Sequence, residues 1–107
     1  MSEAITTSEL RKLLKEEKDL TILDVRRKSD YEADRVIIPG AVWRDPEQVE
    51  QWSQALPRER KVIVYCARGG SVSRSVSNRL QEEGVRVSYI EGGIATWKES
   101  GGEVEWK

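Results

Sequence analysis

Three short apolar runs, Leu20 to Val25, Lys61 to Tyr65 and Val85 to Ile90, constrain this chain more than any other feature. Each is rich in β-branched residues and too short for a helix that packs on its own, so each reads as a buried strand. Longer segments with apolar residues at helical spacing lie between them. Strands that alternate with helices need crossover connections, and these favour a parallel sheet covered on both faces. The expectation is one α/β domain over residues 1–107, with its core at about 5–102 and no linker or repeat to divide it.

The helical segments are legible in outline. Thr7-Ser8-Glu9-Leu10 opens a helix with Leu10, Leu13 and Leu14 on one face. Ser29 is placed to cap a short helix through Tyr31, Glu32 and Ala33. Val36 to Ala41 reads as a loop or short strand broken by Pro39-Gly40. Asp45 caps a helix that starts at Pro46 and carries Val49 and Trp52. Ser71 to Glu83 follows as a helix with Val72, Val76 and Leu80 stacked and Gly84 as its stop, and Gly92-Gly93 leads into a last helix containing Ile94, Ala95 and Trp97.

Composition removes several classes of function. Eighteen Lys and Arg against nineteen Asp and Glu leave a net charge of −1, so nothing global attracts nucleic acid or an anionic membrane. No run approaches the roughly 18 apolar residues of a membrane span. The absence of histidine excludes a His-dependent triad, and a single cysteine excludes an internal disulfide and leaves a structural zinc site almost no N/S ligands. A lone thiol with no visible signal peptide fits the cytoplasm.

That cysteine is the candidate nucleophile. In an open parallel sheet, ligands bind at the carboxyl ends of the strands, where loops lead into helix N-termini. Tyr65-Cys66-Ala67-Arg68-Gly69-Gly70-Ser71-Val72 runs strand, thiol, tight loop, helix. Two adjacent glycines let successive N–H groups converge on an anion, and the helix that follows adds its positive end. A free thiol has a pKa of about 8.5, and a helix N-terminus with a nearby arginine favours the thiolate. An inert buried thiol beside an ordinary turn is the alternative. The cation within the loop favours the reactive reading.

Four stretches together resemble the rhodanese (sulfurtransferase) family in its single-domain form, over roughly residues 5–102. They are Leu23-Asp24-Val25-Arg26; Tyr31-Glu32 with Ile38-Pro39-Gly40-Ala41; Val62 to Cys66; and Gly92-Gly93-Ile94-Ala95-Thr96-Trp97. The resemblance implies a rhodanese-like α/β fold with a parallel central sheet of four to five strands and helices on both faces. Asp34-Arg35-Val36-Ile37 stands where the commoner form has a short Gly-His.

The same fold hosts cysteine phosphatases and arsenate reductases, which close their loop with an arginine. A Cys-x5-Arg pattern would put it at Val72, and a loop one longer at Ser73; Arg74 lies inside the helix. The six-residue loop from Cys66 to Ser71 is similar to the sulfurtransferase pattern instead. The resemblance implies a ping-pong transfer through a Cys66 persulfide, with thiosulfate or another persulfide as donor and cyanide, a thiol or a protein as acceptor. It implies no metal and no organic cofactor. The amides of Ala67, Arg68, Gly69, Gly70, Ser71 and Val72 are expected to hold the sulfur anion, Arg68 to bind the donor's sulfonate end, and the Ser71 hydroxyl to support the sulfur. Asp24 and Arg26 read as an ion pair that locks loops, Arg35 and Arg44 as solvated surface, and Trp43, Trp52 and Trp97 as anchors. A sulfur carrier and a non-catalytic binding module are the remaining alternatives.

Overall fold

The computed structural model describes residues 3–16, 19–68 and 70–107. Its centre is a five-stranded sheet in the order β1-β6-β5-β2-β4, with every neighbouring pair parallel. The strands are β1 (Glu3–Ile5), β2 (Leu20–Asp24), β4 (Ala41–Trp43), β5 (Lys61–Tyr65) and β6 (Val87–Ile90). Leu20, Thr21, Ile22, Leu23 and Asp24 of β2 face Lys61, Val62, Ile63, Val64 and Tyr65 of β5 in register. That register sets the two chain segments leaving these strands side by side at one edge of the sheet.

Strand pleating sends alternate side chains to opposite faces, and two cores result. Ile22, Ile63, Tyr65 and Ile90 pack on one face with Leu10 of α1 (Thr7–Glu16) and with Ile94 and Trp97 of α5 (Gly93–Glu99). Leu23, Val62, Val64 and Val87 pack on the other with Val76 and Leu80 of α4 (Ser71–Glu82) and with Val49 and Trp52 of α3 (Val49–Trp52). Val62, Ile63 and Val64 are wholly buried, each contributing about 1.5–3 kcal/mol of apolar transfer. Among the described residues no helix is long and apolar enough to cross a membrane.

Local chemistry explains where the elements begin and end, and it shifts several expected boundaries. Thr6, one residue earlier than expected, caps α1: Glu9 N–H donates to Thr6 Oγ1 at 3.1 Å, and Thr6 N–H donates to Glu9 Oε1 at 3.1 Å. This reciprocal pair is a capping box. Helix α2 (Lys28–Ala33) starts after Arg27 with no side-chain cap, so Ser29 lies within its first turn and does not cap it. Helix α4 ends in a Schellman motif: Gly84, with φ of 88°, donates to Gln81 O at 3.0 Å, and Val85 donates to Leu80 O at 3.0 Å. Val85 is consumed by that motif, and β6 consequently starts at Val87. Asp45 caps as expected, accepting from Glu47 N–H at 3.0 Å, but the turn it opens is a 3-10 helix (Pro46–Gln48) that precedes α3.

A second, antiparallel sheet joins β3 (Val36–Ile37) to β7 (Glu105–Trp106). Trp106 is 76 % exposed there, and Lys107 lies over the Tyr31 ring at 3.8 Å. The indoles of Trp43, Trp52 and Trp97 act as anchors, donating to Arg26 O, Asp45 O and Glu103 O at 2.9, 2.8 and 2.7 Å.

Candidate active site

Cys66 is the first residue past β5, at the carboxyl edge of the sheet. Its neighbours in space come from the loops that leave β2, β5 and β6. Beneath it, Tyr65 turns into the α1–α5 face and donates its hydroxyl to Asp24 Oδ2 at 3.1 Å, while Ile38 N–H donates to that hydroxyl at 3.3 Å. Burial, together with the Asp24 charge, pushes the Tyr65 phenol far above its ordinary range, so it stays a neutral donor.

Asp24 is fully buried and is held by Arg26, itself 1 % exposed. Arg26 Nε bonds both carboxylate oxygens at 3.0 Å, and Nη2 approaches Oδ2 at 2.6 Å. Nη1 reaches Asp34 Oδ2 at 2.9 Å, where Lys98 Nζ also arrives at 2.7 Å. Burial opposes the Arg26 charge, but bonding to Asp24 and the Asp24 charge outweigh it and hold the guanidinium firmly protonated. Burial also pushes the Asp34 carboxyl up; the Lys98 bond, the Val36 N–H, the Lys98 charge and the Arg26 bond outweigh that and hold it below the usual carboxylate value. The pair expected to lock loops does so, tying β2, α2, β3 and α5 into one rim.

The loop after β5 is pinned to α5. Ile94 N–H donates to Cys66 O, and Ala95 N–H donates to Ala67 O, both at 3.0 Å. Helix α4 then begins after Gly70 with no side-chain cap. The first N–H groups of any α-helix lack intrahelical acceptors, which gives this end a positive character beside the cysteine.

Cys66 is 5 % exposed and opens into a cavity of about 310 Å³. Ala67, Arg68, Gly70, Ser71 and Val72 share its lining, so all of these expected site residues meet there. Gly69 lies outside the described residues. Val72 is half-buried at the cavity wall and does not complete the apolar stack of Val76 and Leu80. Ser71 is exposed in the lining, while the hydroxyl within bonding distance of Cys66 Sγ belongs to Ser73, at 3.3 Å. Ser73 is wholly buried and also donates to Gly70 O at 3.5 Å.

Sequence reasoning missed three residues here: Arg27 and Asp30, which line the cavity opposite the loop, and Ser73. The signal for Arg27 was available. It follows the strand-end Asp24-Val25-Arg26, and adjacent parallel strands deliver their following residues to one edge. Arg35 and Arg44 are exposed and do not line the cavity. Arg74 lines a separate groove along α4 with Asn78, Arg79 and Tyr89, so it does not close the cysteine loop.

Comparison with known proteins agrees with this architecture. A rhodanese-like domain model matches residues 6–100. The chain is 35 % identical over 86 residues to the thiosulfate sulfurtransferase GlpE of Coxiella burnetii, covering 79 % of this chain and 78 % of that one. A rhodanese-related protein of Thermoplasma volcanium superposes with a TM-score of 0.85 at 26 % identity, covering 98 % of this chain and 99 % of the other. A protein of Rhodopseudomonas palustris described as a possible tyrosine phosphatase has the same TM-score of 0.85 at 30 % identity, covering 97 % and 85 %. With its five parallel strands, the strand-end cysteine and these relatives, the chain belongs to the rhodanese-like domain family of sulfurtransferases.

Proposed function

We propose that this chain transfers a sulfane sulfur from a donor such as thiosulfate to a thiophilic acceptor through a persulfide on Cys66. One observation carries the reading: the chain's single cysteine stands at the carboxyl edge of the sheet, beside the uncapped start of α4, and faces a cavity that holds Arg27 and Arg68. Such an edge collects anions, and two guanidinium groups suit the sulfonate end of a donor.

In the first step the Cys66 thiolate attacks the sulfane sulfur, the donor's S–S bond breaks, and sulfite leaves with the electron pair. In the second, an acceptor nucleophile attacks the outer sulfur, and the pair of the breaking S–S bond returns to Sγ. The amides of residues 67–72 stabilise the sulfur anion in both states, and Arg68 and Arg27 orient the donor. A phosphatase needs an arginine closing this loop; Val72 occupies that position, and Arg74 lies in another groove. A chain with one thiol suits a reducing compartment such as the cytoplasm.

The test is mass spectrometry of the whole protein after exposure to thiosulfate, and to a low-molecular-weight persulfide, followed by cyanide. The expected result is a gain of one sulfur atom by the wild type, none by Cys66→Ala, and thiocyanate release on adding cyanide. An adduct that forms without catalytic turnover of thiosulfate identifies a sulfur carrier. Absence of any adduct identifies a binding module and overturns the proposal, as does cysteine-dependent hydrolysis of an aryl phosphate without sulfur uptake.

A further inference from the structure

We infer that Ser73 is a second working part of this site: a hydroxyl that hydrogen-bonds the reacting sulfur and changes partner as that sulfur changes charge. The inference deepens the sulfur-transfer reading and rests on it only for the last step. Ser73 is wholly buried, so its hydroxyl has no water to turn to. Two groups are within its reach. The Cys66 thiol donates to Ser73 Oγ at 3.3 Å, and Ser73 Oγ donates to the Gly70 carbonyl at 3.5 Å. The result is a short chain, S–H to O–H to O=C, running from the nucleophile to the residue that starts α4.

A serine hydroxyl carries one proton and two lone pairs, and its proton rotates freely about the Cβ–Oγ bond. When Cys66 is a thiol, the hydroxyl accepts from sulfur and donates to Gly70. Once the thiol proton has gone to solvent, sulfur has nothing to donate, and a hydrogen bond to an ionised acceptor is about twice as strong as one to a neutral carbonyl. The hydroxyl then turns and donates to Sγ. Gly70 O is not stranded, because Arg74 N–H also donates to it at 3.5 Å. In the persulfide the charge moves to the outer sulfur and Sγ is neutral, so the hydroxyl turns back to the Gly70 carbonyl. When the acceptor attacks the outer sulfur, the S–S bond breaks and its electron pair arrives on Sγ, and the Ser73 hydroxyl turns to it again.

Ser73 approaches from beneath, within the first turn of α4, whereas donor and acceptor enter from the cavity side. The charged groups that face the cysteine are Arg27 and Asp30 from the segment after β2 and Arg68 from the loop itself. All three sit on the cavity side and leave the buried side of the sulfur to Ser73. Its role is therefore separable from theirs.

The experiment is the pH dependence of Cys66 alkylation by iodoacetamide, measured for wild type, Ser73→Ala and Ser73→Thr. This needs no sulfur donor, so it stands or falls independently of the persulfide. The expected result for Ser73→Ala is a profile displaced to higher pH, with alkylation at pH 7 slower by about three- to tenfold and the same plateau at high pH, one pKa unit being tenfold. Ser73→Thr keeps the hydroxyl and restores the wild-type profile. Cyanide discharge of the Ser73→Ala persulfide is expected to slow by a similar factor. A Ser73→Ala profile that superimposes on the wild type overturns the inference, because a serine that only fills space shifts stability and not this curve. Should Ser73→Ala fail to fold, the wild type alone decides the matter. It has one thiol, whose S–H stretching band must lie at the lowered frequency of a hydrogen-bonded donor; a band at the free-thiol frequency overturns the inference.

Discussion

Ile94 N–H donates to Cys66 O over 3.0 Å, so the first turn of the last helix holds the backbone of the cysteine. The helix can start there because Gly92 takes φ of 75°, a left-handed conformation. A Cβ at Gly92 would lie 1.8 Å from Thr96 Oγ1 and 2.5 Å from Thr96 Cβ.

Gly92→Ala is therefore expected to cost about 1–3 kcal/mol in urea unfolding, from the backbone conformation and the crowding together. It is also expected to lower the rate of sulfur uptake more than Gly84→Ala does. Gly84 is likewise left-handed, but its added Cβ meets nothing within 4 Å and it lies at the far end of α4. Equal losses of uptake would mean that α5 does not position the cysteine.

Arg26→Ala leaves the fully buried Asp24 carboxylate without its main partner. Removing one member of a buried pair typically costs about 3–5 kcal/mol, and that loss is expected in the denaturation midpoint with an unchanged m-value. Arg26→Lys should recover only part of it, because an ammonium cannot span Asp24, Asp34 and Val36 O as the guanidinium does.

Asp34 makes stability depend on acid. Its carboxyl titrates below its unfolded value, so the folded state binds its proton more weakly than the unfolded one. The contribution is complete above the unfolded value of about 3.9 and is lost as pH falls through the lower, folded value. The stability gap between wild type and Asp34→Asn is expected to be constant above about pH 5 and to shrink below about pH 4. A gap that does not change down to pH 3 would remove Asp34 from the acid response.

Arg27 and Arg68 both line the cysteine cavity. Replacing either with alanine is expected to raise the KM for thiosulfate about three- to fivefold, the worth of one exposed charge contact, and to slow alkylation by neutral iodoacetamide by less than that. The effect should fade with added salt. Equal losses in both reactions would take the arginine out of donor binding.

Much of this molecule is legible in the linear order of its residues. Leu20 to Val25 and Lys61 to Tyr65 are recognisable as strands because burial on both faces leaves no room for polar alternation. Cys66 stands out because strand, thiol, glycine pair and helix follow one another without a gap. The short strands β1 and β4 are harder to see, since three residues carry no periodicity, and only pairing with β6 and β2 makes them strands.

Sequence alone therefore determined the parallel α/β class, the strand-end cysteine and the loop that follows it, because periodicity and residue order along the chain carry them. Tertiary structure decided which hydroxyl meets the sulfur, Ser73 and not Ser71, and which charges face it from β2. The first depends on how the loop after Cys66 turns into α4, a geometry the order of residues does not print. The second depends on the in-register pairing of Asp24 with Tyr65, which exists only after segments distant in the chain have packed together.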